Sequence, residues 1–177
     1  MHEATPDRDS PADSVTIPAK LVQFLEEGAN VGFVGTRNRD LVPFGHRVSG
    51  WFLGADGRTL TTLVAEPLAA DLLESLQDNG EVALTVDSFA SHETYQLKGR
   101  YVRHRPVRRE DLDVVDRIRE RFSRGLRTVF SLPENIARAF TSRPGLAVEF
   151  EVSEVYLQTP GPGAGTRIVP PAETDAR

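Results

Sequence analysis

The chain has 177 residues, enough for one domain with a single substantial core and a tail at each end. It contains no cysteine, which excludes disulfides, zinc thiolate centres and thiol nucleophiles, and its formal charge of -5 supplies no global field for nucleic acid. No apolar run approaches the length of a membrane span and the start, Met1-His2-Glu3-Ala4-Thr5-Pro6-Asp7, is polar and acidic, so the chain is expected in the cytoplasm, with neither a membrane nor a nucleic acid as partner.

Residues 1 to 14 mix Asp, Pro, Ser and Ala without periodicity and predict a disordered arm. Thr16 is placed to cap a short helix beginning at Ile17-Pro18, with Leu21, Phe24 and Leu25 as its apolar stripe and Gly28 at its C-terminal cap. Strands are predicted over Asn30 to Thr36, over Pro43 to Leu53, and over Thr59 to Val64 after the Asp56-Gly57 turn. Glu66-Pro67 opens a helix carrying Leu68, Leu72, Leu73 and Leu76, which Asn79-Gly80 closes. Two further strands follow, the first with Val82, Leu84 and Val86 on one face, the second with Tyr95, Leu97 and Tyr101 on one face and Gln96, Lys98 and Arg100 on the other. A long helix is expected to set Leu112, Val115, Ile118 and Phe122 on one side and to pair Asp113 with Arg117. Ser131-Leu132-Pro133-Glu134 has the spacing of a capping box ahead of a shorter helix through Ile136 and Phe140. Leu146 to Leu157 alternates as a sixth strand, and a Pro/Gly-rich stretch with a polar tail ends the chain.

The fold class is therefore mainly β with α (α+β): a six-stranded antiparallel barrel, closed or nearly so, with flanking helices over residues 15–159 and a Pro/Gly-rich loop and tail over 160–177. Gln96, Lys98 and Arg100 suit either a solvated sheet face or a cleft that holds an anionic, hydrogen-bonding ligand. His46 and Arg47 read either as a contact to an anion or ring edge or as a surface pair. The four histidines have no mutual ligand spacing, so no metal site is expected. Arginines 117, 119, 121 and 124 fit the solvated face of an amphipathic helix, an anion site or a subunit contact. No hydrolase elbow, phosphate loop or zinc-protease helix occurs.

Two stretches, His92-x-Thr94-x-Gln96-Leu97-Lys98-Gly99 and Gln158-Thr159-Pro160-Gly161-Pro162-Gly163-Ala164-Gly165, together with the element order, resemble the pyridoxamine 5'-phosphate oxidase-like family of FMN-binding split barrels; the C-terminal motif is similar to that of one uncharacterised branch. The resemblance runs over roughly residues 17 to 165 and implies a homodimer with FMN at the subunit interface and redox chemistry on a small-molecule substrate. By position it puts Arg47 and Val48 near the flavin, Thr61 and Thr62 along its ring or phosphate, and Gln96, with Lys98 beside it, in contact from the fifth strand. Where tightly binding members commonly carry a basic group, this chain reads Ala65-Glu66-Pro67, and a glutamate repels a phosphate. Arginines elsewhere then take the phosphate, or FMN binds weakly, or a deazaflavin or haem replaces it. A dimer that stores or senses its cofactor without turnover is the alternative function.

Overall fold

The computed structural model describes residues 15–139 and 142–168. The arm expected over 1–14, Phe140 and the end of the tail lie outside them. The elements run α1 (Ala19–Glu27), β1 (Asn30–Arg37), β2 (Pro43–Arg47), β3 (Gly50–Leu53), β4 (Thr59–Ala65), α2 (Ala69–Asn79), β5 (Glu81–Ser88), β6 (Thr94–Pro106), α3 (Arg109–Phe130), α4 (Glu134–Ala139), β7 (Pro144–Leu157) and β8 (Thr166–Arg167). All strand pairs are antiparallel, in the order β2-β1-β5-β6-β7-β4-β3, with β8 against β7. The protein is mainly β with α, a curled antiparallel sheet flanked by helices.

The sheet has eight strands among the described residues rather than six. One addition is β8; the other arises because the strand expected over Pro43 to Leu53 bends at Val48 and Ser49. The Val48 N–H donates to the Gly32 carbonyl at 2.9 Å, and the next N–H, of Ser49, donates to the Leu63 carbonyl at 2.7 Å. Two consecutive residues thus bond to opposite ends of the sheet and bring those ends together. Gly32 permits the corner, since a Cβ there would stand 2.7 Å from the Trp51 ring and 2.9 Å from Val48.

Period-two alternation sends Val34, Leu60, Val64, Leu84, Leu97, Val148 and Phe150 inward, all buried, with Leu21 and Leu25 of α1 and Leu72 and Leu76 of α2 in the same core. Each such side chain contributes roughly 1.5–3 kcal/mol by leaving water. The inward parity of β7 changes between Val152 and Val155, where the register with β6 slips at Lys98 and Gly99. Gly99 is required there, because a Cβ would stand 1.9 Å from the Glu151 carbonyl oxygen.

Several helix ends differ from expectation for local reasons. Pro18, not Thr16, precedes α1, and its last turn is closed by the Asn30 side-chain amide, which donates to the Phe24 carbonyl at 2.7 Å. Glu66-Pro67-Leu68 forms a separate 3-10 turn before α2. In α3, Val115, Phe122 and Leu126 are buried whereas Leu112 is exposed, and no ion pair joins Asp113 to Arg117. Instead Arg105 on β6 binds Asp111, pulling the start of the helix onto the strand. Ser131 ends α3 with a left-handed φ of 54° instead of capping α4, and Ile136 is exposed while Ala137 packs on Phe122 and Leu126. The helix lies outside the sheet over β3, where Gly50 lets Ile118 and Val115 approach closely.

Candidate functional site

Strand register defines an outward row across the half of the sheet made by β2, β1, β5, β6 and β7. Arg47 stands opposite Phe33, Phe33 opposite Thr85, Thr85 opposite Gln96, and Gln96 opposite Tyr156. Residues opposed across antiparallel strands share a face. With about 4.8 Å between neighbouring strands, Arg47 and Gln96 lie roughly 14 Å apart across the sheet. Phe33, the second residue of the row, is 46% exposed, so the face is open there.

The adjacent row is small in side chain: Gly45 opposite Gly35, Gly35 opposite Ala83, then Ala83 opposite Lys98 and Lys98 opposite Glu154. Gly35, Ala83, Lys98 and Glu154 of this row line a groove of about 560 Å³. Beyond it Arg37 and Glu81 form an ion pair at 2.8 Å, and Arg100 approaches Glu81 at 4.0 Å while donating to the Asn79 carbonyl at 2.8 Å.

The charges of this face divide into paired and unpaired groups. Lys98 Nζ sits 4.6 Å above the Tyr156 ring, and the Arg47 guanidinium 4.6 Å from the centre of the Phe122 ring. Neither has a carboxylate within ion-pair distance among the described residues. Burial lowers the Arg47 pKa from its ordinary value, as expected for a cation held without a counter-charge. The Tyr156 hydroxyl donates to Glu154 at 2.8 Å, which raises its pKa. Gln96 Nε2 donates to Thr85 Oγ1 at 3.1 Å, leaving its carbonyl oxygen without a donor among the described residues. An anion with polar ring atoms matches two unpaired cations and an amide.

The structure gathers Arg47, Gln96 and Lys98 on this face. Val48 and Thr62 turn into the interior, where Val48 packs in the core and Thr62 Oγ1 donates to the Val148 carbonyl at 3.4 Å. Thr61 is buried on the outward side of β4, opposite Phe52 and Glu149 in register. Glu66 lies beside Gly145 and does not line the groove. Sequence reasoning missed Phe33, Thr85, Tyr156 and the floor of Gly35, Gly45 and Ala83. The signal for Phe33 was present in the parity of β1; its neighbours depended on strand order.

The two stretches that carry the family resemblance touch each other. The Thr94 N–H donates to Thr159 Oγ1 at 3.0 Å and the Gln158 N–H to the Thr94 carbonyl at 2.7 Å. The Pro/Gly segment then folds back, its Gly165 N–H donating to the Leu157 carbonyl at 2.7 Å, and delivers β8 to the edge of Tyr156.

No family model and no curated protein matches the sequence. Among solved structures, HupZ of group A Streptococcus is similar with a TM-score of 0.52 at 13% identity, over 84% of this chain and 100% of that one. That likeness shows a shared fold. Weaker likenesses are a pyridoxamine 5'-phosphate oxidase-related, FMN-binding protein from Nostoc punctiforme (TM-score 0.45, 10% identity, 81% of this chain and 83% of that one) and an FMN-binding protein from Syntrophomonas wolfei (TM-score 0.45, 13% identity, 77% and 82%). Among the described residues no helix is long and apolar enough to cross a membrane, and no group of histidines and carboxylates forms a metal site.

Proposed function

We propose that the chain is a cytoplasmic homodimer of the pyridoxamine 5'-phosphate oxidase-like kind that binds FMN on the open sheet face and oxidises or reduces a small substrate. The observation that carries this reading is the flat floor of Gly35 and Ala83 in a groove lined by the unpaired Lys98, with Gly45 continuing the same row on β2. A Cβ on Gly35 would meet nothing nearer than the Phe44 carbonyl oxygen at 3.9 Å, and one on Gly45 nothing nearer than the Val34 carbonyl oxygen at 3.8 Å. The space above both glycines is therefore left open by the chain itself, as a planar ring requires.

The residues present fit the group. Lys98, in the groove, supplies charge for a phosphate, Gln96 offers an amide to polar ring atoms, Phe33 gives apolar contact, and Arg47 stands at the far end of the same face, where it meets the opposite end of the ligand. Bound FMN supplies hydride or electron transfer. The chain's own part is to hold the ring flat, neutralise the phosphate and exclude water. A second copy laid against the open face would cover Phe33, consistent with the interfacial site that the resemblance implies. A deazaflavin could use the same floor, whereas the groove lining offers haem no histidine.

Storage or sensing without turnover is favoured by a different feature. Glu81 and Glu154, the groove's two carboxylates, are both engaged with arginines, at 2.8 Å to Arg37 and 3.6 Å to Arg167, so neither is poised as a base. The visible absorption spectrum and an FMN titration of the purified chain test the shared cofactor claim. Saturable quenching of flavin fluorescence that Gln96→Ala weakens supports it; indifference to FMN removes it. Reduction of the bound flavin by substrate candidates then separates turnover from storage.

A further inference from the structure

A second cavity, of about 260 Å³, lies between the end of α1, β3 and α3 and shares no lining residue with the groove. Its apolar wall is Trp51, Phe52, Leu53 and Ile118, and its rim carries Arg117, Arg121 and Glu26. Trp51 is buried in the main core, Leu53 and Ile118 pack against that core and Phe52 against Leu63 and Val115, yet Phe52, Leu53 and Ile118 remain only half-buried where they line the cavity. Trp51 is held in place from behind, its Nε1 donating to the Leu25 carbonyl at 3.1 Å. The aromatic wall is fixed before anything binds.

The charges of the rim are unusual for this helix. Arg119 and Arg124 on α3 pair with Asp116 and Glu120, whereas Arg117 and Arg121, one turn apart, have no carboxylate partner among the described residues. Like charges at that spacing cost a few tenths of a kcal/mol on an isolated helix. Asp113 is one turn before Arg117 but forms no ion pair with it, and Glu26 across the cavity pairs with neither arginine. Two guanidinium groups against one carboxylate leave the site with a formal charge of +1, which suits a monoanion better than a dianion.

We infer that this cavity binds a monocarboxylate with an aryl or branched apolar body, its carboxylate held by Arg117 and Arg121 and its body lying along the edge of β3 against Trp51, Leu53 and Ile118. Size agrees with that class: a cavity of roughly 150 Å³ lined by apolar side chains takes benzene in another protein, so this one has room for an aryl ring and a short acid arm. A planar carboxylate is also the partner that guanidinium geometry matches best. The inference stands apart from the FMN reading, because it uses none of the groove's residues.

Trp51 is the chain's one tryptophan, so its fluorescence reports on the cavity directly. The probes are phenylacetate, benzoate and isovalerate, with phenylacetamide as the uncharged control, titrated into the full chain. Saturable quenching by at least one carboxylate is expected, with affinity lower by about tenfold in Arg117→Gln and in Arg121→Gln, and the amide binding at least as weakly as the carboxylate does in those variants. Both arginines sit on the helix exterior without ion pairs, so both variants should melt with the parent, which calorimetry verifies. The proposal is overturned if none of the three acids gives saturable quenching, if the amide binds as well as its acid, or if normally folded arginine variants bind like the parent. FMN titration of the same variants should be unchanged; a parallel loss there would mean that the arginines act through the fold and not at this site, which also overturns it.

Discussion

Arg105 closes on Asp111 through two hydrogen bonds, Nη1 to Oδ2 at 2.5 Å and Nη2 to Oδ1 at 2.8 Å, and thereby fastens the far end of β6 to the first turn of α3. The Arg108 backbone N–H donates to the same carboxylate at 2.7 Å, and the Asp111 side chain is 2% exposed. Removing one partner of such a buried pair strands the other. Asp111→Ala is expected to cost about 3–5 kcal/mol in urea unfolding. Replacing both Arg105 and Asp111 by apolar residues should recover much of that loss, and a double variant no better than the single one would show the pair to be worth more than its desolvation.

The same contact shapes stability in acid. The hydrogen bond from Arg105 holds the Asp111 carboxyl below the ordinary carboxylate range, and the Arg108 N–H adds to this against the opposing effect of burial. With the folded pKa depressed, the unfolded chain takes up the proton first as pH falls. This contribution is therefore complete above the ordinary aspartate value near ~3.9 and is lost as pH drops through the lower folded value. Melting temperature measured across that range should fall with pH, and Asp111→Asn, already destabilised, should show a shallower acid slope.

Two glycines on the sheet should respond oppositely to a methyl group. Gly99→Ala drives a Cβ to within 1.9 Å of the Glu151 carbonyl oxygen, which backbone must move to relieve, so a loss of about 3 kcal/mol is expected. Gly35→Ala meets only an oxygen at 3.9 Å and should leave stability within ~0.5 kcal/mol. In return, the added methyl stands on the floor of the groove and should weaken FMN. Thermal melts and flavin titration on the two variants read both effects.

For the face itself, Lys98→Ala and Gln96→Ala are each expected to lower FMN affinity by about tenfold while leaving the fold intact. Arg47→Ala should do the same and also lose its stacking on Phe122, worth ~0.5–1 kcal/mol of stability. Fluorescence titration together with a melt separates the two losses.

Most of the fold was legible because alternation is a local property. Val82, Leu84 and Val86 announce an inward face on their own, and Asn79-Gly80 announces a helix end, here with a left-handed φ of 71° at Gly80. The bend at Val48 and Ser49 was not legible, since it exists only through the carbonyls of Gly32 and Leu63 on two other strands. Arg105 and Asp111 were hidden likewise, because helical spacing reports only pairs within the helix, such as Asp113 with Arg117, whereas this pair joins the helix to a strand. At the candidate site, parity placed Gln96 and Lys98 together on one face. Joining them to Arg47 required knowing that β5 and β1 lie between.

The corner at Val48 and Ser49 has a bearing on how the chain assembles. The hairpins β1/β2, β3/β4 and β5/β6 join neighbours in sequence, but β4 must find β7, pairing Leu60 with Phe150 across most of the polypeptide. Closing so long a span costs entropy before it returns contacts, so seaming β4 to β7 is expected to be the slow event of refolding. Once that seam has formed, β2 and β3, the two ends of the strand order, are tied to each other through the bend, so neither edge strand can peel away without pulling on the other.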